Sequence, residues 1–232
     1  MPREKHSISH MARVVEDLLG QLGPGSVAVV GNSMGGFVAA ELAIKYPQRV
    51  DRLVLVSAAG ISNNDVRRRP ASTIMKVGAI LSANTVAAHR LVARHPRLRH
   101  GALSIVARHP SRLKADFTWE GLMQGVGAPG FAPAVDANLD YDFRDSLPQI
   151  GCPTLIVWGE KDPIIPVRDA MEFNQAIPDS RLVILKDTGH IPMAERPETF
   201  NELLMDFLNE HGEAEGTTSE IASSGGAETA TA

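Results

Sequence analysis

The hexapeptide Gly31-Asn32-Ser33-Met34-Gly35-Gly36 constrains this chain more than any other segment. It follows the apolar, β-branched run Val27 to Val30 and opens a helical pattern that extends from Met34 to Lys45. A strand that turns directly into a helix at Ser33 forces that serine into sparsely populated backbone geometry. Gly31 and Gly35, two residues to either side, are expected to remove the Cβ atoms that would hold strand and helix apart. The hydroxyl then stands at the carboxyl edge of a parallel sheet. The N–H of Met34, at the positive end of the helix, is aimed at any oxyanion forming beside it. Such a turn is a nucleophile elbow. The plain alternative is a glycine-rich turn carrying a solvated serine, so the rest of the chain must supply an acid and a histidine.

Both are present, in order. Thr154 to Val157 reads as a short strand running into Gly159-Glu160-Lys161-Asp162-Pro163-Ile164-Ile165-Pro166, and Ser180 to Leu185 reads as another running into Asp187-Thr188-Gly189-His190. Asp162 and His190 therefore lie just past carboxyl strand ends, where parallel α/β sheets gather their functional groups. Glu160 shares the loop of Asp162 as a rival acid. The loop after the strand Leu53 to Val56, Ser57-Ala58-Ala59-Gly60, carries no carboxylate. Of the other histidines, His6 and His10 fall near the first helix. His89, His95, His100 and His109 fall in a basic helical stretch, and His211 lies in the tail. Such positions belong more often to surface or packing residues.

The segments VVGNSMGGFVAAELA, RVDRLVLVSAAGI, CPTLIVWGEKDPIIP and ILKDTGHIPMAERPETFNELLMDFL together resemble the C-terminal two-thirds of an α/β-hydrolase-fold protein, from about Ser7 to Leu208. The resemblance implies a mostly parallel sheet flanked by helices, with a helical lid inserted. It also implies a triad of Ser33 as nucleophile, His190 as base and Asp162 as orienting acid, with the Met34 N–H in the oxyanion hole. The family's G-x-x-D-x-x-x-P loop selects Asp162 over Glu160. No metal or organic cofactor is implied. A serine at the nucleophile position argues against the aspartate-dependent dehalogenase and epoxide hydrolase branches and favours ester, thioester, amide or carbon–carbon bond hydrolysis. It favours a small-molecule acyl substrate cleaved through an acyl-serine. The elbow Gly31 to Gly36 is also similar to that of carbon–carbon bond hydrolases acting on meta-cleavage products. Those tend to carry Trp after the histidine, whereas this chain has Ile191, a departure that favours a carboxylesterase.

In that family about a hundred residues, including several strands and the second oxyanion donor, precede the elbow. Here Ser33 stands near the beginning. The expectation is a truncated hydrolase with Val27 to Val30 as an open sheet edge. It carries a second functional reading: a catalytically impaired remnant or a partner-dependent subunit.

The expected organisation is a core over 1–60, a helical lid over 61–140, the core again over 141–211 and a disordered tail over 212–232. The lid helices are expected at Thr73 to Leu81, Ala87 to Ala93, Arg97 to Ala107 and Leu113 to Val126, and the Ser/Thr/Gly/Ala/Glu-rich tail lacks the apolar residues to fold. Arginines and lysines crowd the lid from Arg67 to Lys114, with Asp65 the one acid between Ile61 and Ala115. The plain expectation is a solvated face, the sharper one a surface that steers anions. A net charge of −4 over 232 residues predicts no nucleic-acid partner. The single Cys152 excludes an internal disulfide and reads as a small buried hydrophobe. With no apolar leader and no run long enough to span a bilayer, the expected location is the cytoplasm.

Overall fold

In the computed structural model the described residues are 6–62, 86–120, 134 and 141–210. The expected helix Thr73 to Leu81, the end of the helix expected to reach Val126 and the tail from Gly212 lie outside them. Four strands, β1 (Val27–Asn32), β2 (Val50–Val56), β3 (Thr154–Gly159) and β4 (Ser180–Leu185), form one sheet in the order β1-β2-β3-β4. Every neighbouring pair is parallel. Each crossover therefore needs an intervening segment. α1 (Ile8–Leu22) lies ahead of β1, and the crossovers carry α2 (Met34–Lys45) between β1 and β2 and α6 (Val167–Ala176) between β3 and β4. Among the described residues between β2 and β3 are three short helices: α3 (Val86–Arg94), α4 (Pro96–Leu103) and α5 (Ala115–Glu120). After β4 come α7 (Pro192–Glu195) and α8 (Pro197–Glu210).

Ser7 begins α1 by accepting the N–H of His10 on its side-chain oxygen. Gly23 ends it at φ 157°. α1 packs on α2, α2 on β1 and β2, and α6 on β3 and β4. The shared core contains Ile8, Phe37, Leu42, Leu53, Leu55, Ile156, Trp158 and Phe173. β3 is buried along its whole length, which is why it reads as continuous Leu, Ile, Val and Trp rather than as an alternating pattern. β2 and β3 extend beyond the expected runs. In β2 the added Asp51 and Arg52 obscure the apolar signal, while Val50 is buried. β1 is an edge of the described sheet, and Val27 and Val30 stay exposed there.

A polar network joins α1, α2 and the chain ahead of β3. The buried Glu41 carboxylate accepts from Ser9 Oγ at 2.7 Å and from Tyr141 Oη at 2.8 Å, and pairs with Lys45 at 2.7 Å. Burial and the Glu41 carboxylate hold the Tyr141 phenol above its ordinary pKa.

The basic stretch is only partly a solvated face. Arg99 is buried, with its guanidinium bonded to the carbonyls of Ala93 and Ser111. Arg90 lies 5.6 Å over the Trp119 ring. Leu103, Ala107 and Leu113 form a small separate core.

Leu55 is fully buried in β2 and belongs to the shared core. Leu55→Ala is expected to lower unfolding free energy by about 2–5 kcal/mol, measured by urea denaturation.

Candidate active site

Ser33 occupies the junction of β1 and α2 with φ 55° and ψ −121°, the strained geometry expected of the turn. Its backbone is fully engaged. The Ser33 N–H donates to the Val56 carbonyl at 3.0 Å, and its carbonyl accepts from Gly36, Phe37 and Ala59. A serine at a helix N-cap ordinarily spends its hydroxyl on the exposed N–H groups of the first turn. Ser33 makes no such side-chain bond. The first N–H groups of a helix have no acceptor within it, and Met34 supplies the first of them.

The glycine requirement differs in part from the expected one. A Cβ on Gly31 would lie 2.7 Å from Gly36 Cα, and one on Gly36 would lie 2.5 Å from Ala58 Cβ. A Cβ on Gly35 would meet nothing within 4 Å. The close packing of elbow against sheet is therefore made by Gly31 and Gly36, because α2 crosses the β2 loop one residue later than symmetry about Ser33 suggests.

Asp162 leaves β3 and turns back. Its Oδ1 accepts the N–H groups of Ile164 at 2.8 Å and Ile165 at 3.0 Å, while the Ile165 carbonyl accepts Trp158 Nε1 at 3.2 Å. With Oδ1 occupied, Oδ2 faces His190 Nδ1 at 2.8 Å. An ionised carboxylate only accepts, so Nδ1 is the donor in this contact, and in a neutral ring the acceptor is then Nε2. Both side chains are almost completely buried, at 5% and 1% exposure.

Asn32 completes the assembly. Its Nδ2 donates to the Val56 carbonyl at 3.0 Å and to the His190 carbonyl at 3.2 Å. The residue before Ser33 is thus tied to the backbone of His190 across 158 positions of sequence.

Glu160 points elsewhere. It accepts the Asp187 N–H at 3.3 Å and approaches Lys161, and these contacts hold its carboxyl below the ordinary range. His109, expected as a surface residue, meets Asp187 at 2.7 Å, and Arg108 meets the same carboxylate at 3.1 Å. Hydrogen bonds from these two side chains hold Asp187 below the usual carboxylate range. Cys152 is half-buried, and burial pushes its thiol upward. Among the described residues no group of three His, Cys, Asp or Glu side chains is placed to hold a metal, and no helix is long and apolar enough to cross a membrane.

Residues 2–197 match the family described as alpha/beta hydrolase fold. The chain belongs to the α/β-hydrolase-fold family. An uncharacterized protein of Mycobacterium tuberculosis is 30% identical over 223 residues, covering 90% of this chain and 63% of that protein. The chain thus spans somewhat under two-thirds of the length of that relative. The 2-hydroxy-6-oxo-6-phenylhexa-2,4-dienoate hydrolase of Comamonas testosteroni is 28% identical over 208 residues, covering 86% of this chain and 68% of the enzyme. Among solved structures, a thermophilic esterase from Thermogutta terrifontis superposes with a TM-score of 0.65 at 25% identity, covering 88% of this chain and 72% of the esterase. The Comamonas and Thermogutta proteins are by name a hydrolase and an esterase, and this chain carries the parallel sheet and flanking helices of the fold.

Asn32→Ala removes two side-chain hydrogen bonds at a partly buried seam. It is expected to cost about 1–3 kcal/mol, read as a lower urea midpoint at unchanged slope.

Asp187 has a lowered folded pKa. Its contribution to stability is present above the ordinary carboxylate range and disappears as pH falls through the folded value. The thermal midpoints of wild type and Asp187→Asn should therefore differ near neutral pH and converge in acid, as followed by circular dichroism across pH.

Proposed function

We propose that this α/β-hydrolase is a serine hydrolase that cleaves a carboxylic ester through an acyl-serine, with Ser33, His190 and Asp162 as its triad. The observation that carries the reading is the buried His190–Asp162 contact, together with the His190 carbonyl, which accepts from the side chain of Asn32, the residue before Ser33. His190 Nε2 takes the Ser33 Oγ proton as Oγ attacks the ester carbonyl carbon. The resulting oxyanion is met by the Met34 N–H. Collapse breaks the bond to the alcohol oxygen, which leaves with the proton from His190. Water then adds to the acyl-serine while His190 accepts its proton, and the acid departs as Ser33 regains its own. Asp162 keeps Nδ1 protonated and stabilises the imidazolium at each stage. The substrate in this reading is a small acyl compound, no cofactor takes part, and the helices between β2 and β3 form the lid above it.

The esterase neighbour at 25% identity and the Ile191 that follows His190 favour an ester. The Comamonas relative and the Gly31 to Gly36 elbow support carbon–carbon cleavage of a dienoate as a second reading. A third reading, an impaired or partner-dependent subunit, draws on the open β1 edge.

p-Nitrophenyl butyrate should be hydrolysed by the wild-type chain, and Ser33 should be labelled by a fluorophosphonate. Ser33→Ala should abolish both, and Asp162→Asn should lower kcat by about 10⁴-fold. Turnover of a dienoate in place of the ester would favour the second reading. A folded, monodisperse protein with neither activity nor labelling would favour the third.

A further inference from the structure

His190 is held by more than its ring. Its N–H donates to the Val106 carbonyl at 2.9 Å, laying the turn after β4 alongside residues 106–109, which follow α4. Glu195, the last residue of α7, closes this seam. Its Oε1 accepts the Gly189 N–H at 2.8 Å, while Oε2 accepts the N–H groups of Arg108 at 2.7 Å and His109 at 3.3 Å. One carboxylate thus bonds three backbone donors from two segments separated by some eighty residues. Bonds of this kind, with an ionised acceptor, are about twice as strong as neutral ones. Ile191, just ahead of α7, and Ala194, within it, pack against Leu103, Ala107 and Leu113. The fit is tight at Gly189, where a Cβ would stand 2.7 Å from the Arg108 nitrogen and 2.8 Å from Glu195 Oε1.

We propose that Glu195 is a positioning residue that bolts the Gly189–His190 turn to residues 106–109, so that the helical segment between β2 and β3 sets where the His190 imidazole meets Asp162. The bonds of Glu195 go to the backbone on either side of the seam, and it acts through them. The catalytic consequence rests on the triad proposed above, while the structural one does not. Displacing that segment, as a bulky substrate or product would, pulls on the Gly189 N–H and the His190 N–H together.

The test is made on the full chain with ¹⁵N-labelled histidine. The proton between His190 Nδ1 and Asp162 Oδ2 should give a low-field resonance, assigned by its loss in Asp162→Asn. Glu195→Gln turns an amide NH₂ toward a backbone N–H and so releases one side of the seam. The resonance should broaden or vanish well below the thermal midpoint. The value of kcat for p-nitrophenyl butyrate should fall about 10- to 100-fold, the scale of a misplaced catalytic group, with KM within about twofold. Glu172→Gln, which breaks a distant exposed ion pair with Arg144, should change neither. If Glu195→Gln fails to fold, Gly189→Ala strains the same seam from the other side and should give the same losses. An unchanged resonance and kcat in a folded seam variant, or a wild type without the resonance, would overturn the proposal. A wild type that shows the resonance but no Ser33-dependent hydrolysis would instead sink the serine-hydrolase reading. The effect of Glu195→Gln on the resonance would then still decide the role of Glu195.

Discussion

Parallel pairing at the carboxyl edge of the sheet is the constraint on which the candidate site depends. The ladder does not stop where the strands do. Ser33 N–H reaches the Val56 carbonyl, Ser57 N–H reaches Val157, and Glu160 N–H reaches Leu185. Each loop is thus fixed for one further residue by the end of its neighbour. Three loops that share no sequence proximity are set in register before any side chain contributes. In an antiparallel arrangement successive strand ends would alternate between the two edges, and these groups would be divided between them.

On this frame the local devices differ in kind. Ser33 is placed by strain, since its dihedral angles are tolerable only because its N–H and carbonyl are both bonded. Asp162 is placed by saturation, one oxygen held by two backbone donors so that the other has a single direction left. His190 is placed by suspension between Asp162, Asn32 and Val106. A serine held by its backbone alone keeps its hydroxyl out of helix capping. In the proposed triad, that leaves it available to an incoming carbonyl carbon.

Sequence alone was sufficient for the features whose cause is local. The elbow, α1, α2 and the cores of all four strands follow from apolar runs, periodicity and glycine placement. Asp162 and His190 follow from their positions past strand ends, and the resemblance separates Asp162 from Glu160. The features it left hidden have distant partners. Asn32 reads as a loop amide until its bonds to Val56 and His190 are seen, and Glu195 reads as an ordinary acid of a helical C-terminal pattern. Gly35 was expected where Gly36 is needed, because the obstacle is Ala58, which spacing around Ser33 does not reveal. Arg99 reads as one more member of a basic run, and only folding turns it inward onto carbonyls.

The separation of Ser33 from His190 also has a consequence in time. A chain made from its amino terminus completes the elbow, α2 and β2 while the acid and the histidine are still unwritten. In the proposed triad, the serine of a nascent or prematurely ended chain has its strained turn and no base beside it. Such a chain would be chemically silent toward esters, however well its first strands had formed. In that reading, translation through His190 and the Glu195 that holds its turn is what arms the hydroxyl.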